Sequence, residues 1–248
     1  MSTLYSTLSR VYEAMYQGFI NYDEEFNFYY SKLAAFKPSS IIEVGCGTGN
    51  LAGRFSKTEM SYTGMDISEE MLSIAKAKNP DGNFIEADMR GFWLPKKMDA
   101  CIITGRTISY LLTNVDVLDA LVSIHNNLRK DGILCFDFID ASKFIPKIKN
   151  GREIYHEASV TSKKYRRRSY WNINLSNSWT FNWASEFQEE NFNGDFVEIG
   201  TDHSVIRTFT KDDMVIFLAM AGFEVLEIVD RKTYAFDTKV VVAKKLHR

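Results

Sequence analysis

The chain has 248 residues, a length between one and two average domains. Hydrophobic residues make up 45% and charged residues 25%, a globular composition that excludes a disordered or low-complexity chain. The 30 Lys and Arg residues are balanced by 32 Asp and Glu residues, and the formal net charge of −2 argues against a dedicated nucleic-acid-binding protein.

The first 38 residues carry a helical pattern that is rich in tyrosine. Apolar side chains recur at steps of three and four over residues 4–19, and this spacing predicts an amphipathic helix. Three tyrosines, Tyr5, Tyr12 and Tyr16, fall on much the same face of that helix. A second helix is predicted over residues 23–36, ending before Pro38.

From residue 40 the pattern alternates between strand and helix. Short apolar runs predict buried strands at 40–44, 61–65, 83–86, 98–104 and 133–138. Helical patterns over 51–58, from residue 68 onwards and over 115–129 separate these runs. Strand alternating with helix in this way predicts an α/β fold with a doubly wound parallel sheet.

Residues 152–208 have a different sequence pattern, without the helical periodicity of the preceding part. Aromatic residues alternate with Ser, Thr and Asn there, which predicts about four antiparallel strands. The α/β pattern then resumes with a helix from Thr210 to Gly222 and strands at 223–229 and 239–244. We therefore predict three parts: an N-terminal helical lid over 1–38, a cofactor-binding domain over 39–150 and 209–248, and an inserted antiparallel subdomain over 151–208.

The glycine-rich loop at residues 43–49 is the most informative segment. It joins a predicted strand to a helix, where glycines allow a close approach to a ligand and the helix presents its amide groups. This arrangement predicts a nucleotide-type cofactor above the carboxyl end of the strand. The third glycine, Gly49, comes one position too early for a dinucleotide fingerprint, and Glu43 would repel a pyrophosphate.

The acidic residues around the loop narrow the choice of cofactor. Glu43 would attract an ammonium group, and Asp66, at the end of the second strand, is placed to hold two ribose hydroxyls. Asp88, which follows the third strand, could accept a hydrogen bond from an adenine amino group. A cation, a ribose and an adenine without phosphate describe S-adenosylmethionine.

Five segments in register resemble the class I S-adenosylmethionine-dependent methyltransferases. They are EVGCGTGNL, GMDISEEML, EADMRGF, LRKDGILCFD and TKDDMVIFLAMAGFEV. The resemblance implies a Rossmann-like methyltransferase fold, with a mostly parallel seven-stranded sheet and the antiparallel β-sheet as an insert. The ADMR segment, the tyrosine-rich opening helix and the insert more closely resemble the branch that includes nucleotide-linked amino-sugar N-methyltransferases.

The resemblance also implies a role for each residue of the cofactor site. Gly45, Gly47 and Gly49 would line the methionine and ribose portion, while Glu43 would hold the loop and the amino group. Asp66 would bind the ribose. Ile67, Asp88 and Met89 would lie beside the adenine, and Thr104 would lie beside the methionine part.

Candidate catalytic residues follow from what methyl transfer requires. The enzyme has to align a nucleophile and exclude water, and a hydroxyl acceptor also needs a general base. Tyr12 and Tyr16, and with less weight Tyr5, could face the sulfonium with their rings or pack as core aromatics. The candidate bases and substrate ligands are His156, His203, Asp140, Asp137, Tyr110 and Arg106, whereas His125 and His247 fit surface positions.

The sequence thus predicts transfer of a methyl group, in line and without metal, to an N or O atom of a small molecule. Two alternatives stay open: an RNA methyltransferase using the basic run at 163–168, and a non-catalytic S-adenosylmethionine-binding module. The insert is also a candidate homodimer face.

Location is predicted from what the sequence lacks. The start of the chain has neither the basic residues nor the apolar core of a secretion signal, and no apolar run approaches the roughly 18 residues of a membrane span. Three widely spaced cysteines, Cys46, Cys101 and Cys135, suit buried thiols in a reducing compartment. We expect a cytoplasmic protein without a membrane partner.

Overall fold

The computed structural model describes residues 3–160, 163–177, 179–233 and 235–247. Its strands are β1 (Ser40–Val44), β2 (Ser61–Asp66), β3 (Asn83–Glu86), β4 (Met98–Ile103), β5 (Leu128–Ile139), β6 (Arg152–Val160), β7 (Lys163–Ile173), β8 (Thr180–Glu190), β9 (Phe196–Arg207), β10 (Phe223–Lys232) and β11 (Asp237–Lys245). Its helices are α1 (Ser9–Phe19), α2 (Tyr22–Ala34), α3 (Ala52–Phe55), α4 (Glu69–Lys78), α5 (Asn114–Asn127), α6 (Ala141–Ile148) and α7 (Lys211–Met220).

Two sheets organise the chain. The larger has seven strands in the order β10-β11-β5-β4-β1-β2-β3, and β11 runs antiparallel to both of its neighbours while the pairs from β5 to β3 are parallel. The smaller is an antiparallel meander of β6, β7, β8 and β9. The predicted fold class is confirmed: a doubly wound, mostly parallel sheet with an antiparallel insert.

The central strands are apolar along their whole length because both faces of the large sheet are covered. Alternate residues of β1, β4 and β5 pack into a cluster with α5 and α7 on one face, including Ile42, Cys101 and Leu134. The residues between them pack with Tyr29 and Leu33 of α2 on the other face. A sheet buried on both faces shows continuous hydrophobic strands rather than alternation, as the sequence indicated.

Local capping explains where several helices begin. The Ser68 hydroxyl accepts the N–H of Met71 at the start of α4. Thr210 and Asp213 form a reciprocal capping box at the start of α7. Gly222 follows α7 with a positive φ of 88°, a conformation that glycine adopts without strain and that ends the helix.

Some predicted boundaries differ from the structure. α1 begins at Ser9 because residues 3–5 form a separate 3₁₀ turn, and the helix predicted over 51–58 is a single turn, α3, followed by tighter turns. β5 begins at Leu128 rather than at residue 133, and the positive φ of Asp131 coincides with an irregular ladder there. α6 was not predicted, because Pro146 lies within it.

The insert is anchored on the large sheet through a shared aromatic core. Phe144 of α6 contacts the rings of Trp171 and Phe181 in the insert, with centroids 5.3 and 5.0 Å apart. Phe236, between β10 and β11, stacks on Trp171 at 5.0 Å. The two ends of the insert meet at a bridge between Asp140 and Phe209. The insert therefore has no separate core of its own on this side.

The N-terminal segment packs on the other end of the insert. Leu4, Leu8, Met15 and Tyr16 form one buried cluster with Ala158, Tyr165 and Phe187 of the smaller sheet. The predicted division into lid, cofactor-binding domain and insert stays a prediction, although these contacts join the first and the last. Among the described residues, no helix is long and apolar enough to span a membrane.

We expect Phe144→Ala to destabilise the protein by about 3–5 kcal/mol, because the fully buried ring is shared by both sheets. Urea unfolding followed by tryptophan fluorescence and by far-UV circular dichroism measures this. The two probes should give one coincident transition, since Trp171 and the large sheet lose the same contact. Phe144→Leu, which leaves a smaller void, is the control. Two separate transitions, with only one of them shifted, would contradict the shared core.

Candidate active site

One large cavity of about 1010 Å³ opens at the carboxyl ends of the parallel strands. The strand order reverses between β1 and β4, which is where open α/β sheets bind their ligands. The cavity walls come from the ends of the parallel strands and the loops that follow them, including the glycine-rich loop, and from the N-terminal segment, the inserted sheet and the connection between β10 and β11. Residues far apart in sequence therefore meet at one site.

The three glycines of the loop have different tasks. All three have positive φ, and the backbone N–H groups of Gly45 and Cys46 donate to the carbonyl of Met65 at the end of β2. Gly47 lines the cavity, and a Cβ placed there would meet no described atom within 4 Å, so its space is open to a ligand. A Cβ at Gly49 would lie 2.9 Å from the Cβ of Ala75, so Gly49 lets α4 pack against the loop instead of lining the cavity.

Asp66 is held at the mouth of the cavity by two backbone donors. Its Oδ2 accepts the N–H of Gly47 at 2.8 Å and its Oδ1 accepts the N–H of Ser68 at 3.0 Å. Burial raises the pKa of Asp66 above its usual range. Each carboxylate oxygen has a second lone pair, so the pair can still accept from two adjacent hydroxyls, as a ribose presents.

Glu43 lies deeper, at the end of β1, and is only 2% exposed. The Tyr62 hydroxyl donates to its Oε2 at 2.5 Å and the Thr104 hydroxyl donates to its Oε1 at 2.8 Å. Burial raises the pKa of Glu43 to about 7 despite these donors. A nearby cationic group would favour its ionised form.

The residues that follow β2 and β3 add apolar side chains and an acid to the cavity lining. Ile67 is 51% exposed although it lines the cavity, and Met89 lies on the same wall. The Asp88 carboxylate is bound by the guanidinium of Arg90, which holds the pKa of Asp88 below its usual range. Arg90 also reaches Asp116 at 3.0 Å. An ionised acceptor beside an exposed apolar side chain suits the edge and face of an adenine.

These features fit S-adenosylmethionine group by group. The open space at Gly47 admits the ligand, Asp66 accepts from a diol, and Glu43 favours a cation. Within the described residues, no cluster of three His, Cys, Asp or Glu side chains could hold a metal ion. The cofactor residues predicted from sequence thus come together around one cavity, except Gly49, whose side is taken by α4.

Tyrosines from two parts of the chain meet at the cavity: Tyr5, Tyr12 and Tyr16 of the N-terminal segment, and Tyr110 of the turn after β4. Tyr12 and Tyr16 of α1 are stacked with centroids 4.0 Å apart, and the Tyr5 ring meets Tyr12 edge-on at 5.5 Å. The hydroxyls of Tyr5 and Tyr110 lie 2.5 Å apart. All four line the cavity, and burial raises the pKa of Tyr5, so its phenol is protonated at neutral pH.

Glu13 was not singled out from the sequence, yet it joins α1 to the glycine-rich loop. Its carboxylate accepts from the Thr48 hydroxyl in the loop, from Gln17 at 2.9 Å and from Lys78 of α4 at 2.5 Å. Lys78 also donates to Asn50. The sequence offered no signal for this role, because an acid within an amphipathic helix is ordinarily a solvated residue.

The cavity lining also includes a buried acid, Asp137, with two arginines near it. Asp137, at the end of β5, accepts the backbone N–H of Arg106 at 2.8 Å, and burial raises its pKa. Arg106 has a positive φ of 63°, and its guanidinium lies over the Phe236 ring at 4.9 Å. Arg231 forms a two-pronged pair with Glu25.

Three candidate catalytic residues lie outside the cavity lining. Asp140 caps α6 by accepting the N–H of Ser142, three residues beyond Asp137, and therefore serves the helix. His156 contacts Arg167 behind the wall, at 3.2 Å. His203 lies on the outer face of the insert, in a separate small depression. Alternate residues of a strand face opposite sides of the sheet. Knowing that His156 and His203 lie in the insert was therefore not enough to predict whether their side chains reach the cavity.

Comparison with known proteins assigns the family. A protein-family model that is described as a methyltransferase domain matches residues 41–132 of this chain. A putative methyltransferase of Geobacillus sp. (strain WCH70) is 30% identical over 193 residues, covering 76% of this chain and 75% of that protein. The dTDP-3-amino-3,4,6-trideoxy-alpha-D-glucopyranose N,N-dimethyltransferase of Streptomyces venezuelae is 32% identical over 96 residues. That match covers 39% of this chain and 40% of the relative.

The fold agrees with this assignment. The solved structure of an S-adenosylmethionine-dependent methyltransferase from Clostridium acetobutylicum ATCC 824 superimposes with a TM-score of 0.78 at 16% identity. The superposition covers 98% of this chain and 99% of that one, including the inserted sheet. The cofactor inferred from Glu43, Asp66 and the glycine-rich loop is the one that this fold family uses. This chain therefore belongs to the S-adenosylmethionine-dependent methyltransferases with the class I, Rossmann-like fold.

Proposed function

We propose that the protein transfers the methyl group of S-adenosylmethionine in line to a nitrogen atom of a small acceptor, an amino sugar linked to a nucleotide. One observation carries the proposal: the buried carboxylate of Asp137 faces the same cavity as Asp66 and Glu43. A carboxylate at that place offers an acceptor for the N–H groups of an amine. The cavity is also large enough for a cofactor and an acceptor together.

The cofactor supplies an activated methyl group on a positively charged sulfur. The chain has to orient the acceptor, exclude water and take up a proton from the amine. Asp137 accepts a hydrogen bond from the amine and stabilises the positive charge that develops on nitrogen. The raised pKa of Asp137 brings the carboxyl closer to the range in which it can also receive the proton. The tyrosines of the N-terminal segment close the cavity against water.

The proposal that the acceptor is a nucleotide-linked amino sugar rests on the relatives and on the basic residues that line the cavity. Two relatives act, by their names, on dTDP-linked amino sugars. In this chain Arg106, Arg231 and Lys232 line the same cavity as Asp137. Guanidinium and ammonium groups bind phosphate oxygens, so this wall suits an acceptor with an amine and an anionic nucleotide part.

The basic run at 163–168 does not favour an RNA substrate. Lys163 and Lys164 pair with Glu189 and Glu190 at 2.7 and 2.9 Å, which neutralises them on the sheet surface. The arginines on either side of Arg167 are also paired with glutamates, and Arg167 itself is buried. A non-catalytic module is disfavoured because the acceptor end keeps an acid that cofactor binding alone does not need. Location in the cytoplasm and dimerisation through the insert stay predictions.

The transfer reaction itself tests the proposal. We expect labelled methyl groups to pass from S-adenosylmethionine to dTDP-linked amino sugars and not to their hydroxyl counterparts. Asp137→Asn should lower kcat about 100-fold, because it removes the proton acceptor, and should leave the affinity for S-adenosylhomocysteine unchanged. In the wild type, kcat/KM should fall as pH drops through the raised pKa of Asp137.

Asp230→Asn is the matched control for this variant, since Asp230 is an exposed acid paired with Lys143 and Lys239. It should leave kcat and the pH profile as in the wild type. Methyl transfer to the hydroxyl compounds alone, or a normal rate in Asp137→Asn, would contradict the assignment of the amine to Asp137.

Asp66→Ala should weaken S-adenosylhomocysteine binding about 100-fold, because two charge-assisted hydrogen bonds to the ribose are lost. Isothermal titration calorimetry measures the dissociation constant directly. Asp66→Asn, which keeps one acceptor for the backbone donors of the loop, separates ribose binding from loop support. Asp81→Ala, at an exposed turn, should bind as the wild type does. Unchanged affinity in both Asp66 variants would place the ribose elsewhere.

The raised pKa of Glu43 predicts a pH dependence of stability. Between pH 4.5 and about 7 the folded protein keeps a proton on Glu43 that the unfolded chain has released. The free energy of unfolding should therefore fall by about 3 kcal/mol as pH rises across this window. Urea unfolding of the wild type and of Glu43→Gln, compared at each pH, isolates this contribution. A constant difference between the two proteins from pH 4.5 to 7.5 would show that Glu43 titrates normally.

A further inference from the structure

The inserted sheet carries one arginine among its buried side chains. Along β7, Arg166 and Arg168 face solvent and pair with Glu157 and Glu153. Arg167 points to the opposite face and is 1% exposed. It stands between Tyr165 and Ser169 on the buried side of the strand. The middle residue of the basic run therefore acts inside the protein and not on its surface.

Arg167 joins the insert to the N-terminal helix through directed contacts. Its Nη1 donates to the Tyr16 hydroxyl at 3.0 Å, and its Nη2 lies 3.2 Å from Nδ1 of His156. A guanidinium is always charged and only donates, so Nδ1 of His156 has to be the acceptor. Burial and the neighbouring Arg167 lower the pKa of His156 to about 4, which keeps the imidazole neutral at pH 7.

The contact reaches the cavity wall although Arg167 does not line it. The Arg167 Cζ lies 5.5 Å from the ring centroid of Tyr16 and 5.5 Å from that of Trp183, and both rings line the cavity. Tyr16 in turn stacks on Tyr12 at 4.0 Å. Tyr16 of α1 and Trp183 of the insert thus lie against one guanidinium, and Tyr12 is connected to it through the Tyr16 ring.

A buried charge at this position is expensive for folding. Moving a charged group out of water costs several kcal/mol unless its surroundings compensate, and an apolar side chain of similar volume often serves stability as well or better. The rest of this face of the insert is largely apolar or aromatic, including Tyr165, Trp171 and Phe187. What a guanidinium adds here is direction, because its planar fork fixes two partners at a set angle.

We propose that Arg167 is a positioning residue: from the inserted sheet it fixes the Tyr16–Tyr12 stack against the cofactor cavity. The insert thereby shapes the cofactor side of the site as well as the acceptor side. This inference rests on the proposed function, because it takes the cavity to be the cofactor site. It predicts that cofactor affinity depends on a residue that never touches the cofactor.

The test compares binding of S-adenosylhomocysteine, by calorimetry, in the wild type and in variants shown to be folded by circular dichroism. Arg167→Met should raise the dissociation constant about tenfold, the effect of losing one charge-assisted hydrogen bond. Arg167→Lys keeps the charge and one contact and should recover part of that loss. Arg166→Met, on the exposed face of the same strand, is the matched control and should bind as the wild type does.

A double-mutant cycle separates positioning from general destabilisation. Tyr16→Phe keeps the stacked ring and removes only the hydroxyl that Arg167 holds. If Arg167 acts through that hydroxyl, Tyr16→Phe alone should weaken binding to a similar extent, and the double variant should bind no more weakly than Arg167→Met. Tyr16→Phe changes a single atom, so it decides the question even if Arg167→Met does not fold.

Each result of these binding measurements either supports or overturns a specific claim. Lower thermal stability with unchanged affinity in Arg167→Met and Tyr16→Phe would overturn the inference, because it would make Arg167 purely structural. Additive losses in the double variant would overturn it as well, since the two residues would then act independently. Absence of S-adenosylhomocysteine binding in the wild type would instead refute the proposed function. Coupled losses with partial recovery in Arg167→Lys would support the inference.

Discussion

Three carboxylates at the carboxyl ends of parallel strands, with Glu43 and Asp137 buried and Asp66 half-buried, are the constraint on which the site depends. Glu43, Asp66 and Asp137 end or nearly end β1, β2 and β5, and burial raises the pKa of each. A buried carboxyl is stable only where donors reach it, and the structure provides Tyr62 and Thr104, two loop amides, and the amide of Arg106. The loops around the cavity are arranged to supply these donors, which gives the glycine-rich loop its shape.

The same constraint explains why the cavity is closed by aromatic residues. Carboxylates that are to bind a cation and an amine work best where water is excluded. Aromatic residues make up 14% of the chain, and tyrosines of the N-terminal segment meet Trp183 of the insert around the cavity. Phe144 joins the insert to the large sheet, and Arg167 joins it to α1. The N-terminal segment, the insert and the large sheet are therefore connected through buried contacts.

Some residues of the candidate site could be placed from local chain geometry. Asp66 is the last residue of a strand and Gly47 lies in a strand-to-helix turn, so the place of each follows from its neighbours in sequence. The sequence did not distinguish between two acids that lie close together in the chain. Asp137 and Asp140 are three residues apart, and only the start of α6, which Asp140 caps, shows that Asp137 is the one in the cavity. Gly49 was expected at the cofactor and instead makes room for α4.

The residues by themselves predicted the alternation of strands and helices, the antiparallel insert and the cofactor, because apolar periodicity and the glycine-rich loop are local signals. The seven-stranded sheet followed from the family resemblance, and α6 was not predicted. The tertiary structure alone decided which distant residues meet. Glu13 binds the loop from α1, Arg167 holds Tyr16 from β7, and His156 and His203 lie away from the cavity. Contacts between elements depend on packing angles and on the face that each strand turns inward, and neither is encoded in any short stretch of sequence.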